Sequence, residues 1–174
     1  MAISAGYGVG PILFGGVDGA TPLSFVTTDS AAIRAKGHTV GDRVDFAGEE
    51  YVLVHNAGAS IAAKGNFMVL SSLSGYSLTI SSLSAQHMPI CVVKHEDIPA
   101  GGFGWGLVRG FSQVLCESTM STGNFLTAGQ DGVFKTYATS ANTDTVKGYN
   151  VGQVVSSGSG STASMPKAYV RCWG

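Results

Sequence analysis

Apolar and polar residues alternate with a period of two along most of the chain, in short runs separated by Gly, Ser, Asn and Asp. The clearest example is the segment 43–47 followed by the segment 50–55, in which Val44 and Phe46 alternate with polar neighbours. Such alternation is typical of strands that bury one face in a sheet. The two segments therefore predict a hairpin with its tip near Gly48.

Further strands are predicted wherever the same alternation, or a short apolar run, is bounded by turn residues: 66–70, 76–80, 88–94, 103–108, 111–116, 132–137, 151–155 and 167–173. The glycines around Trp105 predict a sharp bend or a bulge in that strand. A helical turn is predicted only over Asp29–Lys36, which ends at Gly37. The pattern predicts an all-β fold, a compact β-barrel or β-sandwich of about nine or ten short strands.

The first residues of the chain differ from the rest. They are rich in glycine yet apolar, and their large side chains include those of Tyr7, Ile12, Leu13 and Phe14. A free tail is usually polar, whereas an apolar, glycine-rich tail is suited to lie extended against a partner. We therefore expect residues 1–38 to form an N-terminal arm with a short helical turn, and residues 39–174 to form the β-domain. The alternative is that the arm supplies the first strand of that domain.

Charged residues make up only 12% of the 174 residues, about half of the share near 25% that is usual in soluble proteins. A protein with so few charges has a surface covered by Ser, Thr and Gly, or a surface that partners bury. The net charge is −1 and no cluster of Lys and Arg occurs. We therefore expect no binding to nucleic acid.

No apolar stretch approaches the roughly 20 residues that cross a membrane, and the N-terminus lacks the basic start and apolar run of a signal peptide. We therefore expect that the protein is made in the cytoplasm and that it does not associate with a membrane. Cys91, Cys116 and Cys172 are odd in number and widely spaced. This arrangement favours reduced, buried cysteines over a disulfide framework or a metal site.

Motifs of catalytic sites are scarce. The glycines of 102–106 lack the spacing and the following helix of a dinucleotide site. The adjacent residues His95, Glu96 and Asp97 precede a Pro-Gly segment, so a solvated turn is the favoured interpretation over a metal or acid–base site. No histidine lies near Cys116 in the sequence. We expect no enzymatic activity, no cofactor and no metal.

Large aromatic residues give the remaining candidate contacts. Trp105 lies between glycines and is expected to be an anchor, either in the core or between subunits. Exposed rings could also bind sugars, and the candidates for such a platform are Trp105, Tyr137, Tyr149 and Trp173.

Several segments resemble the head-decoration, or capsid cement, proteins of tailed bacteriophages. The segments that carry the resemblance are 41–46 with 50–54, the stretch 89–110 with its turn Ala100-Gly101-Gly102-Phe103-Gly104-Trp105, the pair 121–126 and 132–134, and the closing runs 151–155 and 168–172. The apolar arm and the Ser-rich span Ser71–Ser84 have no counterpart in that pattern.

The resemblance implies a compact β-domain, a homotrimer, and a site on the outer capsid surface where the protein binds the phage major capsid protein and stabilises subunit contacts. The virion would then be its location. Candidate protein-contact residues are Tyr7, Ile12, Leu13, Phe14 and Trp105. The alternative is another virion component, such as a tail, collar or head-fibre protein, with carbohydrate binding as one form of this alternative.

Overall fold

A computed structural model describes residues 26–71, 76–80, 88–137 and 150–173. These residues form one helix, α1 (Ser30–Ala35), and eleven strands: β1 (Val26–Thr27), β2 (Arg43–Phe46), β3 (Glu49–Asn56), β4 (Phe67–Leu70), β5 (Ser77–Thr79), β6 (Cys91–Val93), β7 (Phe103–Gln113), β8 (Phe125–Ala128), β9 (Phe134–Thr136), β10 (Gly152–Ser156) and β11 (Lys167–Arg171). The predicted all-β fold is confirmed.

All eleven strands of the described residues belong to one sheet, in the order β2-β3-β5-β4-β6-β7-β11-β10-β8-β9, with β1 paired to β7. The sheet as a whole is not a closed barrel. Within it, however, β3 also pairs with β7, so the pairings β3–β5, β5–β4, β4–β6, β6–β7 and β7–β3 return to their starting strand. We call these five strands the five-strand ring.

The middle of β3 and the whole of β6 are covered on both faces, which explains their continuous apolar sequences. In β3, Val52 and Val54 belong to a smaller core cluster, while Tyr51 and Leu53 belong to a larger one. The same division separates alternate residues of β6, all of which are fully buried. A strand buried on both faces has no polar positions to alternate with its apolar ones.

Strand β7 corrects the sequence prediction, because it joins the predicted strands 103–108 and 111–116 into one strand of 11 residues. One edge of β7 pairs with β3, and the other pairs in turn with β1, β6 and β11. The register shift opposite Tyr51 leaves Val108 as an extra residue, which confirms the predicted bulge. Gly106 is needed for close packing, since a Cβ there would lie 2.2 Å from Sγ of Cys91.

Local signals predicted the hairpin and the helix correctly. Ala47 and Gly48 have φ angles of 53° and 80°, as a two-residue turn between β2 and β3 requires. The side chain of Asp29 accepts a hydrogen bond from the Ala31 N–H and caps α1, and Ile33 places the helix against the larger core.

The predicted arm residues Tyr7, Ile12, Leu13 and Phe14 lie outside the described residues. The first described strand, β1, pairs with Phe103 and Gly104 of β7. The boundary after residue 38 stays a prediction.

Candidate functional site

The strands β8, β10 and β11 and the end of β7 expose one face of the sheet. Along β11, Ala168 and Val170 are buried, whereas Lys167, Tyr169 and Arg171 are exposed. The same alternation leaves Phe111 of β7 exposed. The period of two therefore places apolar residues in the core and a second set, which includes large rings, on the surface.

The register brings these rings together. Phe111 lies opposite Tyr169, Tyr169 lies opposite Gln153, and Gln153 lies opposite Phe125. The ring centroids of Phe111 and Tyr169 are 5.2 Å apart in a T-shaped arrangement. Trp173 follows the end of β11 and is 65% exposed. We call Phe111, Phe125, Tyr169 and Trp173 the aromatic face.

A groove of about 660 Å³ lies along the aromatic face. Its aromatic lining comes from Phe125, Tyr169 and Trp173, and its polar lining includes Asn150, Gln153 and Arg171. The amide of Gln153 donates to the Gly123 carbonyl at 3.3 Å. The groove thus combines flat apolar surfaces with hydrogen-bonding groups.

The strands β8–β11 carry basic residues only, although Glu49 of β3 lies beside Phe111 and Lys167 at the β7 end of the surface. No acidic residue occurs in β8, β9, β10 or β11, which carry Lys135, Lys167 and Arg171. Nζ of Lys167 lies 5.6 Å from the centre of the Phe111 ring, where the ring's electron density attracts a cation. Neither Lys167 nor Arg171 forms an ion pair within the described part of the chain.

A polar network holds the Phe111 end of the aromatic face. The Glu49 carboxylate accepts hydrogen bonds from the Phe111 N–H at 2.9 Å, from the Tyr51 hydroxyl at 2.6 Å and from the Lys94 ammonium. The Tyr51 hydroxyl also lies 3.1 Å from Nε2 of His95, and the two rings stack with centroids 5.6 Å apart. The network therefore links Glu49, at the start of β3, to β7 at Phe111.

The electrostatic state of the network follows from burial and hydrogen bonding. Burial acts to raise the pKa of Glu49, but the hydrogen bonds from Lys94, Tyr51 and Phe111 outweigh it and lower that pKa. Burial raises the pKa of Tyr51, and its bond to Glu49 raises it further. Burial and the charge of Lys94 lower the pKa of His95. Glu49 is therefore charged at neutral pH, and Tyr51 remains a hydroxyl donor.

Trp105 lies in the larger core and is 3% exposed. Its ring meets the His38 ring edge-on, with centroids 6.0 Å apart. Two places were predicted for Trp105, the core and a contact between subunits, and within this chain it lies in the core. A contact between Trp105 and another protein stays a prediction.

The other candidates of the sequence are separated in space. Trp173 belongs to the aromatic face, Tyr137 lies half-buried beyond β9, and Tyr149 lies outside the described residues. Glu96 and Asp97 are exposed between β6 and Ile98, as the predicted turn requires, while His95 is half-buried against Tyr51.

The three cysteines are the remaining residues of chemical interest. Cys91, Cys116 and Cys172 are buried, as predicted, and they are free thiols. Burial raises the pKa of Cys116 to about 12. The described residues contain no group of three His, Cys, Asp or Glu side chains that could hold a metal ion. They also contain no helix with the length and apolar character to cross a membrane.

Phe111, Phe125 and Tyr169 are surface residues that the sequence pattern did not identify. The alternation in 167–171 separates Tyr169 from Val170, but it does not say which of the two faces the core. Only the pairing of β11 with β7 and β10 decides that question.

Comparison with solved structures finds a likeness to a bacteriophage protein. The head fiber gp8.5 N base of bacteriophage phi29 is similar to this chain with 18% sequence identity and a TM-score of 0.48. The likeness covers 69% of this chain and 93% of that one. No protein-family model matches the chain, and no curated protein matches it.

Proposed function

We propose that this chain is a structural protein of a bacteriophage virion, which binds the outside of the capsid and stabilises contacts between major capsid protein subunits. The observation that carries the proposal is the aromatic face. Four large rings with exposures of 38% to 65% lie on one surface of a rigid sheet. The residues of the sequence resemblance support the virion as the setting.

The chemistry of the face suits binding to another protein. Trp, Tyr and Arg are the residue types that contribute most to binding at protein interfaces, and Trp173, Tyr169 and Arg171 supply all three. A large ring that is buried completely removes about 150–250 Å² from water, and a partner can still cover the exposed 38% to 65% of these four rings. Because Phe111, Phe125 and Tyr169 lie on paired strands, little ordering entropy is lost when these three rings bind.

Stabilisation of a capsid follows from linkage. A protein that binds across two subunits only when they are assembled lowers the free energy of the assembled state by its own binding free energy. A homotrimer would add avidity, since one bound subunit holds the other two near their sites. The low share of charged residues, 12%, suits a broad contact made through rings, backbone and small side chains.

We propose no catalytic role and no cofactor. The thiols of Cys116 and Cys172 are buried with pKa values raised to about 12, so neither offers a thiolate at neutral pH. The proposed partners are proteins, namely the major capsid protein and further copies of this chain, with no nucleic acid and no membrane.

The test uses phage particles produced from a genome that encodes this chain and particles produced after deletion of its gene. We expect the complete particles to contain the chain in a copy number comparable with that of the major capsid protein. Purified chain should bind the deletion particles and restore their resistance to heat. Absence of the chain from complete particles, or failure to bind, would overturn the proposal.

A second candidate function is that of a tail, collar or head-fibre component that binds carbohydrate. The groove favours it, because Trp173 offers a flat ring beside the polar groups of Asn150, Gln153 and Arg171. Rings beside amide and guanidinium donors are suited to sugar binding. A handful of copies per particle, together with binding to isolated glycans, would favour this second function.

A further inference from the structure

Charge is distributed unevenly over the sheet. The acidic residues of the described strands all lie in β2 and β3, and they are Asp45, Glu49 and Glu50. The chain has 11 acidic and 10 basic residues in total, so the basic character of β8–β11 is a local property. Glu49 lies beside Lys167 and Phe111, whereas the groove at the other end is lined by Arg171 and by no acidic residue. A positively charged groove of this kind attracts a partner with negative charge.

Two arginines beside the aromatic face differ in whether a carboxylate lies near their guanidinium groups. Arg109 lies on the β3 side, where its Nε is 3.9 Å from a carboxylate oxygen of Glu50. Arg171 lies opposite Arg109 in the register but on the groove side. The described residues supply no hydrogen-bond or ion-pair partner for its guanidinium. A guanidinium group has five donors in a planar fork that fits a carboxylate with two hydrogen bonds.

The size of the aromatic face indicates the class of occupant. The row from Phe111 to Phe125 crosses four neighbouring strands, β7, β11, β10 and β8, and three gaps of about 4.8 Å give a length of about 14 Å. Phe111 and Phe125 have no polar group to offer a sugar hydroxyl. A row of this length with apolar ends fits a protein segment better than a single sugar unit.

We infer that the aromatic face binds a segment of protein that presents an Asp or Glu carboxylate to Arg171 and seats an adjacent apolar side chain in the groove lined by Tyr169 and Trp173. This inference rests on the proposed function and names the chemistry of the capsid surface involved. Charge complementarity sets the register of the contact, and burial of the rings supplies most of the affinity.

The test measures the affinity of purified full-length chain for the deletion particles. Arg171→Glu should weaken binding by at least about tenfold, because it places two carboxylates together in the interface. Arg171→Lys keeps the charge and should recover most of the affinity. The matched control is Lys64→Glu, which makes the same change of charge at an exposed residue that belongs neither to the aromatic face nor to the groove lining.

Salt gives a second readout. Raising NaCl from about 50 mM to about 500 mM should weaken the parent more than Arg171→Gln, since the added ions screen the proposed pair. If Arg171→Glu fails to fold, as judged by circular dichroism, Lys167→Glu tests the same charge complementarity at the other end of β11.

Each outcome has a separate meaning. Parent chain that does not bind the deletion particles overturns the proposed function and this inference together. Parent chain that binds, with Arg171→Glu and Lys167→Glu binding equally well, overturns the inference alone. Loss of parent binding after glycosidase treatment of the particles would identify a glycan as the occupant and would also overturn the inference.

Discussion

The five-strand ring and the region β8–β11 differ in how many faces of their strands are buried. In the ring, Cys91, Val92 and Val93 are consecutive and fully buried, because both faces of β6 are covered. In β11, burial alternates and every second residue reaches solvent. A strand covered on both faces can contribute to stability but offers nothing to a partner, whereas a strand with one open face can do both.

The two regions also differ in whether their charged side chains form ion pairs. Arg43 and Glu50 form an ion pair at 2.9 Å, and Lys94 pairs with Glu49. Lys167 and Arg171 have no carboxylate partner among the described residues. The comparison suggests that residues around the ring fix the fold and that residues of β8–β11, together with Phe111 at the end of β7, recognise a partner. Substitutions matched between the regions can separate the two roles.

The largest effect on folding is expected for Trp105→Ala. This ring is 3% exposed in the larger core, and removal of a buried aromatic side chain typically costs about 3–5 kcal/mol. The free energy of unfolding, measured by urea denaturation, should fall by about that amount. Trp173→Ala is the matched control, since that ring is 65% exposed and should change stability by less than about 0.5 kcal/mol. Equal losses for the two variants would contradict the division of roles.

The next effect concerns binding and should appear in Tyr169→Ala. Tyr169 lies in the middle of the row, packs against Phe111 and lines the groove. We expect its affinity for the deletion particles to fall by about 2 kcal/mol, the scale of a central interface residue, with little change in stability. Ile61→Ala is the control, because Ile61 is 57% exposed and lies off the aromatic face. A stable Tyr169→Ala chain that binds like the parent would show the face to be inert.

The sequence predicted those parts of the structure that depend on neighbouring residues. The β2–β3 turn at Ala47 and Gly48 and the helix capped by Asp29 are decided by local backbone preferences and short-range hydrogen bonds. The length of β7 was predicted wrongly, because its continuity depends on three strands that pair with one of its edges in turn, and two of them, β1 and β11, are distant in sequence.

The candidate site was harder to predict than the fold. The sequence marks Trp173 as a possible exposed ring, but it cannot place Phe111 beside Tyr169, since they are 58 positions apart and meet only through the β7–β11 register. The hydrogen bond from the Phe111 N–H to Glu49 also joins residues that are distant in the sequence. Such contacts are consequences of topology, which period-two patterns do not specify.

A smaller loss of stability is expected for Glu49→Gln, which tests how the ring is joined to the aromatic face. The variant removes the charged acceptor of the Lys94, Tyr51 and Phe111 donors, at an expected cost of about 1 kcal/mol at neutral pH. Because the folded pKa of Glu49 lies below the ordinary value of 4.5, its contribution is complete above that value and is lost as the pH falls through the folded pKa. The variant's deficit should therefore shrink in acid.

The control for that prediction is Glu50→Gln. Glu50 pairs with Arg43 and Arg109, both of which are exposed, and an ion pair of this kind contributes about 0–1 kcal/mol. A loss for Glu50→Gln as large as that for Glu49→Gln would show that the network beneath Phe111 has no special weight.

The smallest effect is expected from His95, whose titration should make the free energy of unfolding depend on pH. Burial and the Lys94 charge lower the pKa of His95 below its ordinary value of 6.5, so the unfolded chain binds more protons than the folded chain just below that pH. Stability from the neutral ring is therefore complete above 6.5 and is lost as the pH falls toward the folded pKa. His95→Gln cannot titrate, and its free energy of unfolding should change less than the parent's between about pH 7.5 and about pH 5.5. This interval lies above the ordinary pKa of Glu49, so the Glu49 carboxyl contributes little to the difference. If the two pH curves are parallel, the stacking of His95 on Tyr51 does not depend on the protonation of the imidazole.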